Sequence, residues 1–550
     1  MTLKPLYFFF LCFFFVGIQG AWSQKPVPPD TTKKVEILAA RKLEFLKTND
    51  TTELQILAGN VKLRQGSTLF YCDSCIINNR IHLLEAFGNV HINDADTANA
   101  YSDYLRYLTD KRVAYLQKNV RLTDGKATLT TNNLEYDVET KLGIYTNGGK
   151  VVNNKKSVLT STEGYYYTDL KDIYFKKNVE LNDPAYYLKS DSLLYNTESE
   201  VARFIAETFI KDSSNRNIIT KEGYYDTKNK KAEFGLRPVI QDGPRRYTGN
   251  TVITNDSTHI SQIIGNAIIV DTTDATTVIA GEVLANSETG TMLAFNKPLM
   301  IVKQDQDSIF ITADTLFSAR LSDLYKAGDS VKTLNASDSI QVDTVKTVKL
   351  VNSKEKDSTD RYFQAFYHVR IFSDSVQAVS DSMFYSFKDS VFRLYKDPVV
   401  WSKENQVTGD TILLFTKNKK ADRFKVFENS LLVSKVQGDF FNQVKSLRMD
   451  GYLTDGSIDS VRARGFAECV YYIQNEDSSF TGVNQSSSDI MDIYFASDST
   501  GGRALQRVVF RSAVKGTLWP MRAKTAEELR LQNFKWLDDR RPKTKYELYQ

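Results

Sequence analysis

One short phrase recurs along this chain at a nearly constant interval, and it constrains the fold more than any other feature. Residues 59–63 read Gly-Asn-Val-Lys-Leu and residues 88–92 read Gly-Asn-Val-His-Ile, a step of 88 − 59 = 29 residues. In each copy apolar and polar side chains alternate, which is the two-residue period of a half-buried β-strand. Glycine and asparagine supply the backbone freedom needed at a bend. We therefore expect each copy to be a strand that turns sharply before it continues.

The phrase returns, with decreasing fidelity, through most of the chain. Most steps are about 30 residues, which is within the range of stacked-repeat proteins. Later copies begin at Lys118, Gly148, Lys177, Glu207, Arg237, Gly265, Lys297, Tyr367, Asp397, Asn429 and Gly465. Between the copies lies a second phrase, a polar turn with Ser and Asp followed by a strand rich in Leu, Tyr and Phe, as at residues 101–107 and 189–195. A unit of this size cannot bury its apolar face alone, whereas stacked units can. The sequence predicts an all-β protein, a folded-over β-solenoid of stacked repeats.

Composition agrees with a β-rich chain and gives no reason to expect a nucleic-acid partner. The chain has 29 Tyr and 32 Phe but only 11 Pro, and aromatic and β-branched residues favour strands. The 71 Lys and Arg nearly balance the 67 Asp and Glu, and the formal net charge is only +4. Nucleic-acid binding would call for a concentrated basic surface. Because the charged residues alternate with the apolar ones, we interpret them as a solvated outer face.

The two ends and one internal stretch depart from the repeat. Lys4, the apolar run 6–18 and Ala21-Trp22-Ser23 predict a cleaved signal peptide and export. We expect a periplasmic chain that is either free or associated with the outer membrane. No later stretch approaches the length of a membrane helix. The predicted organisation begins with a signal peptide at 1–23, a flexible leader at 24–34 and a first repeat region at 35–321. A polar insertion at 322–361 is either disordered or a loosely held hairpin. A second repeat region with a closing hairpin at 362–520 and a tail at 521–550 follow, and residues 524–533 of the tail have helical composition.

No motif for catalysis or metal binding is visible in the sequence. The four histidines show no HExxH spacing, and there is no GxSxG motif, phosphate-binding glycine loop or EF-hand loop. Cys72 and Cys75 have the spacing of a redox or half-zinc motif, but no second pair accompanies them. Residues three apart on a strand face opposite sides, so two small buried or edge residues are favoured, and an exported compartment also permits a local disulfide. We expect no cofactor, no metal and no enzymatic activity.

These strand phrases resemble the organic-solvent-tolerance (OstA-like) family. That family includes LptA, the periplasmic bridge for lipopolysaccharide, and the N-terminal domain of its outer-membrane partner LptD. The resemblance rests on Gly59-Asn60-Val61, Gly88-Asn89-Val90, Asn119-Val120 and Asn178-Val179, while residues 482–495 are similar to the large OstA-like proteins of Bacteroidetes. It implies a β-jellyroll, an open folded-over sheet whose apolar inside holds acyl chains. The implied partners are lipopolysaccharide or a related glycolipid, other β-jellyroll proteins joined by edge-strand pairing, and an LptD-like translocon of the outer membrane.

The candidate lipid-binding face consists of the apolar positions that alternate in the four clearest copies. They are Val61, Leu63, Val90, Ile92, Val120, Leu122, Val179 and Leu181. The same residues could fill a dry core, and alternation does not separate a filled core from a lined groove. A non-catalytic structural solenoid or scaffold of the cell envelope is therefore the alternative to glycolipid transport toward the outer membrane. A polysaccharide-acting β-helix enzyme would need carboxylates or basic residues clustered on one face of consecutive repeats, and no such cluster is visible.

Overall fold

The computed structural model describes residues 34–49, 52–95, 97–153, 157–184, 186–303, 308–324, 360–417, 420–475, 479–497 and 503–549. The signal peptide, nearly all of the leader and most of the polar insertion lie outside these residues, so those expectations stay predictions. The described chain is almost entirely β-strand, as predicted. Its helical residues are a single turn at 321–324 and the 3-10 turns Asp538–Arg540 and Lys545–Leu548. Over the described ranges, no helix has the length and apolar character needed to cross a membrane.

The chain forms two compact units. Unit 1 comprises the residues up to Gly125 together with Thr130–Tyr145, and unit 2 comprises Lys126–Leu129 together with everything from Thr146 onward. The strands up to this division are β1 (Glu36–Ala39), β2 (Lys42–Asn49), β3 (Thr52–Gln65), β4 (Thr68–Asn78), β5 (Leu83–Asp94), β6 (Ala98–Leu108), β7 (Val113–Thr123), β8 (Ala127–Asp137), which contributes residues to both units, and β9 (Leu142–Tyr145).

Unit 2 continues as a longer array of antiparallel strands. They are β10 (Gly149–Asn153), β11 (Val158–Ser161), β12 (Glu163–Tyr167), β13 (Asp172–Asp183), β14 (Tyr186–Asn196), β15 (Val201–Phe204), β16 (Thr208–Asp212), β17 (Asn217–Thr220), β18 (Glu222–Asp226), β19 (Lys231–Gly235), β20 (Val239–Asp242), β21 (Arg245–Thr248), β22 (Thr251–Asn255), β23 (Ile260–Asp271), β24 (Thr276–Asn286), β25 (Thr291–Phe295), β26 (Leu299–Lys303), β27 (Ser308–Thr312), β28 (Thr315–Ala319), β29 (Tyr362–Phe372), β30 (Gln377–Ser386), β31 (Val391–Tyr395), β32 (Val399–Ser402), β33 (Asn405–Thr408), β34 (Thr411–Lys417), β35 (Lys420–Gln437), β36 (Phe440–Thr454), β37 (Ser457–Gln474), β38 (Phe480–Ser497), β39 (Arg503–Arg511) and β40 (Lys515–Trp519).

The repeated phrase marks a bend within each long strand. Gly88 and Asn89 have φ angles of 70° and 44°, and the register between β4 and β5 shifts at this point. Asn89 Nδ2 donates a hydrogen bond to Asp73 Oδ2 at 2.9 Å, and Asn119 Nδ2 donates to Asp103 Oδ2 at 2.7 Å. In both places an Asp of the preceding strand thus holds the Asn of the next bend. The two phrases recognised in the sequence are therefore two halves of one local structure, a β-bulge that redirects the strand.

Several weaker copies in unit 2 interrupt the strand instead of bending it. Pro238, Pro298 and Pro398 follow residues with positive φ at the bend. Proline has no N–H to donate to the ladder and is confined to strand starts and bulges. The pairs β19–β20, β25–β26 and β31–β32 accordingly replace single continuous strands.

The bends divide each unit into two ladders of paired strands, which we call wall A and wall B. In unit 1, wall A contains residues 83–87 of β5 and wall B contains residues 90–94. In unit 2, the corresponding parts of β13 are residues 172–176 and 179–183. Alternate side chains in both walls point toward the opposite wall and form the core. The predicted all-β, folded-over β-jellyroll is confirmed.

The C-terminal tail does not form the helix that its composition suggests. Residues 524–533 adopt turns and extended chain. Their apolar side chains Leu529 and Leu531 are buried against β37 and β38 of the same unit. Tertiary packing here overrides a weak local preference.

Candidate functional site

All eight residues predicted to form the lipid-binding face lie on inner faces. Each is at most 2 % exposed. Six of them belong to wall B of unit 1, where Leu63 pairs with Phe70, which pairs in turn with Ile92. Val179 and Leu181 occupy wall B of unit 2. The alternation therefore identified the inward side correctly, while lipid contact at these positions stays a prediction.

The interior of unit 1 is closed by direct contact between its walls. Phe70 of wall B packs on Tyr107 of wall A, with ring centroids 4.7 Å apart. A Cβ atom added to Gly143 of wall A would lie 2.8 Å from Leu122 Cδ2 of wall B. Such a distance leaves no room for even a methyl group at this point, because protein interiors are close-packed.

Hydrogen bonds from tyrosines join the two walls of unit 1 at the strand tips, on the side opposite the bends. Tyr107 of wall A donates to Gln65 Oε1 of wall B, and Gln65 Nε2 donates to the Thr109 carbonyl at 2.8 Å. Tyr136 of wall A donates to Asp94 Oδ2 of wall B at 2.7 Å. Burial raises the pKa of the Tyr107 phenol above its ordinary range. We call such a pairing of a wall A tyrosine with a wall B polar side chain a tyrosine clasp.

Asp94 is a charged clasp residue, and it is deeply buried. Its side chain is 1 % exposed. Besides the Tyr136 hydroxyl, it accepts a hydrogen bond from Thr68 Oγ1 at 3.0 Å and lies 2.6 Å from Lys141 Nζ. A buried carboxylate is costly unless it is paired and hydrogen-bonded, and these three partners meet that requirement.

A third tyrosine clasp lies in unit 2. Asn153 Nδ2 of wall B donates to the Tyr195 hydroxyl of wall A at 2.8 Å, and burial raises the pKa of Tyr195 to about 12. All three clasps join residues 42 positions apart. Sequence reasoning missed them because this interval is longer than one repeat. A polar residue followed at that spacing by tyrosine is the signal that could have revealed them.

The walls of unit 2 part to form an apolar cleft farther along the chain. The cleft has a volume of about 350 Å³, including space open to solvent. Wall B contributes Met300, Val302, Ile309 and Ile311, and wall A contributes Phe363, Tyr385, Phe392 and Thr416. Burial raises the pKa of the Tyr385 phenol above its ordinary value. The cleft lies at a weak copy of the repeat, and the sequence prediction did not include its residues.

Cys72 and Cys75 both lie inside unit 1 as free thiols. The expectation that they face opposite sides is wrong. Asp73 and Ser74 both face outward at the bend, so the next inward-facing residue after Cys72 is Cys75. A hydrogen bond to Cys72 and burial together raise the pKa of the Cys75 thiol far above its ordinary value. The two residues are buried, as favoured, and Cys75 is not activated as a nucleophile. Among the described residues, no group of three or more His, Cys, Asp or Glu side chains is placed to hold a metal ion.

Comparisons with known proteins point to one family. Residues 32–191 match the family model of the OstA-like protein. Twenty-six solved chains match, among them the crystal structure of LptH, the LptA homologous periplasmic component of the conserved lipopolysaccharide transport device from Pseudomonas aeruginosa. That match has 12 % identity and a TM-score of 0.18, and it covers 19 % of this chain and 79 % of LptH. No curated protein matches the sequence. The resemblance to the OstA-like family is confirmed for residues 32–191.

Proposed function

We propose that this chain, an OstA-like protein over residues 32–191, is a non-catalytic periplasmic carrier of lipopolysaccharide or a related glycolipid. The acyl chains lie between wall A and wall B, and the polar headgroup stays at the strand tips. The carrier contributes to outer-membrane assembly by delivering glycolipid toward that membrane.

The apolar cleft in unit 2 is the observation that supports this proposal most directly. Seven of its eight lining residues are aliphatic or aromatic, and a predominantly apolar lining is typical of sites that take up apolar ligands. Each methylene removed from water there contributes about 0.8 kcal/mol. Acyl chains that enter the cleft therefore gain binding free energy without any catalytic group.

In unit 1, binding requires the two walls to separate. The tyrosine clasps hold the walls together at the strand tips, and each contributes about 0.5–1.5 kcal/mol net, or about 1.5–3 kcal/mol where the acceptor is the Asp94 carboxylate. Burial of several methylenes offsets the loss of one or two clasps. Acyl chains can therefore enter along the clasped edge while the bends keep the walls joined on the opposite side.

The N-terminal strands support partnership with other β-jellyroll proteins. β2 pairs with β3 on one side, and its Leu43, Phe45 and Leu46 are exposed, Phe45 to 72 %. Strand addition at a sheet edge joins proteins through main-chain hydrogen bonds, with apolar side chains giving specificity. The proposed partners are other bridge proteins of this fold and an LptD-like translocon.

Photocrosslinking in living cells tests the proposal. A photoreactive amino acid is placed at Met300 in the cleft, at Val90 on the inner face of unit 1, or at the outward-facing Lys62. Glycolipid adducts should form at the first two positions and be weak at the third. Equal adducts at position 62 would show that the inward faces do not define a lipid path. Val90→Asp should reduce transport by placing an unpaired carboxylate on that path, whereas Lys62→Asp is the matched control.

A structural solenoid of the cell envelope is the second candidate. It is favoured by the near-complete burial of all eight predicted residues, because side chains of the protein itself cover them. This candidate predicts no glycolipid in mass spectra of extracts from the purified mature protein. It also predicts no adducts at Met300, so the two experiments together decide between the candidates.

A further inference from the structure

The outer face of wall B becomes apolar in the C-terminal half of unit 2. Trp401 and Val433 lie on the side of wall B opposite to the inward-facing Val400 and Leu432, yet both are fully buried. The interpretation of the outward positions as a solvated face is therefore wrong for this part of the array. Outward positions in the earlier repeats, such as Arg121 and Lys189, are exposed as expected.

The C-terminal segment 527–548 covers this apolar face. It runs back along the array from the last strands toward β26, and its apolar side chains contact successive strands. Leu529 and Leu531 pack against Val470, Tyr472 and Val483; Phe534 and Trp536 pack against Leu431, Val433 and Phe441; Leu537 packs against Val379, Val399 and Trp401; and Leu548 packs against Leu299 and Phe372.

Two buried glutamines of wall B bind the backbone of the segment. Gln443 Oε1 accepts a hydrogen bond from the Leu531 amide at 2.8 Å. Gln406 Oε1 accepts from the Leu537 amide and its Nε2 donates to the Lys535 carbonyl, both at 2.7 Å. A side-chain amide that pairs with both an N–H and a C=O group recognises extended main chain, whatever side chains that chain carries.

Two charged contacts fix the far end of the segment. The Arg541 guanidinium donates to Gln377 Oε1 at 2.7 and 2.9 Å, and to the Lys403 carbonyl at 2.8 Å. Arg370 donates to the Glu547 carbonyl at 3.1 Å and to its carboxylate at 3.3 Å. The direction and register of the segment are thus specified at several points.

We infer that the outer face of wall B, from β26 to β38, is a binding site for a peptide with large apolar side chains, and that its occupant is this chain's own segment 527–548. Backbone recognition by Gln406 and Gln443 combines with apolar contacts at Leu531, Trp536 and Leu537. All of these contacts are non-covalent. The segment therefore behaves as a tethered ligand that a free copy of the same peptide can replace. The inference does not depend on glycolipid binding.

The test uses the full chain with a specific protease site inserted between Arg522 and Ala523, both exposed. After cleavage, native mass spectrometry should find the C-terminal fragment still bound to the array. An excess of labelled synthetic peptide spanning residues 523–550 should then replace it. The Trp536→Ala peptide should compete roughly 10-fold or more less well, because a large half-buried aromatic that packs on Leu431, Val433 and Phe441 is lost. The peptide carrying Asp539→Ala, a change at an exposed position, should compete as well as the unmodified peptide.

A variant of the array tests the glutamine contact. In the nicked Gln406→Leu protein, two backbone hydrogen bonds are lost and two backbone groups are left unpaired, so the fragment should dissociate roughly 10-fold or more faster. Release of the fragment on cleavage without competitor would overturn the inference. So would failure of the excess peptide to exchange, or equal competition by the Trp536→Ala and Asp539→Ala peptides. The peptide comparison needs no change in the array, so it stands even if the Gln406→Leu protein does not fold.

Discussion

Replacing Tyr136 with phenylalanine tests whether the tyrosine clasps hold the walls together. The change removes one hydroxyl and keeps the ring. Asp94 then loses a 2.7 Å hydrogen bond in a fully buried position, while Thr68 and Lys141 remain as its partners. A hydrogen bond to a charged group contributes about 1.5–3 kcal/mol. We expect the free energy of local opening at the clasped edge of unit 1 to fall by about that amount.

Hydrogen–deuterium exchange measures this local opening directly. Where a locally opened region closes again faster than its exposed amides exchange, the observed exchange rate depends on the free energy of opening. A loss of about 1.5–3 kcal/mol corresponds to exchange that is faster by roughly 10- to 100-fold, since each 1.4 kcal/mol is about a factor of ten. The acceleration should appear in peptides covering residues 90–94 and 130–145.

Tyr71→Phe is the matched control. Tyr71 points outward and stacks on His91 with ring centroids 5.2 Å apart, a contact that phenylalanine retains. Amide exchange in the Tyr71→Phe protein should differ from that of the unmodified protein by less than about threefold, because surface substitutions usually change the free energy of unfolding by no more than about 0.5 kcal/mol. Equal exchange in the Tyr136→Phe and Tyr71→Phe proteins would refute the reasoning that the clasp joins the walls.

Three further predictions follow from individual contacts. Gly143→Ala should destabilise unit 1 by about 1–3 kcal/mol, because the added methyl group would meet Leu122 across the core. The same hydrogen–deuterium exchange experiment measures this loss, and unchanged exchange would contradict the close contact between the walls. A hydrogen bond from Arg462 holds the pKa of Asp492 below its ordinary value. The stability that the ionised Asp492 contributes is therefore present above about pH 4 and is lost as the pH falls toward that lowered pKa. Asp492→Asn should remove this pH dependence of stability, measured as acid unfolding by tryptophan fluorescence. Replacing residues 325–359 with a short Gly-Ser linker should preserve cooperative unfolding measured by circular dichroism, because β28 and β29, which flank the segment, pair directly with each other. Loss of the unfolding transition would show that the segment is required for folding.

The sequence by itself determined the local architecture. A two-residue alternation tells which side chains share a face, and it placed Val61, Val90 and Val179 correctly on the inside. Gly-Asn pairs marked the bends, because left-handed backbone is easiest for these residues, as Gly88 and Asn89 show. Both signals depend on neighbouring residues only, so no knowledge of the tertiary structure was needed to read them.

Only the tertiary structure decided which faces are covered and how the walls are joined. The alternation does not reveal that segment 527–548 covers Trp401, since the two are more than a hundred residues apart in sequence. Nor does it show that Tyr136 reaches Asp94, or that the bend at Asp73 and Ser74 turns Cys75 inward. These features depend on the stacking of distant strands and on bulges that shift the register by one residue. A single such shift moves a side chain to the opposite face, which is why local periodicity cannot determine it.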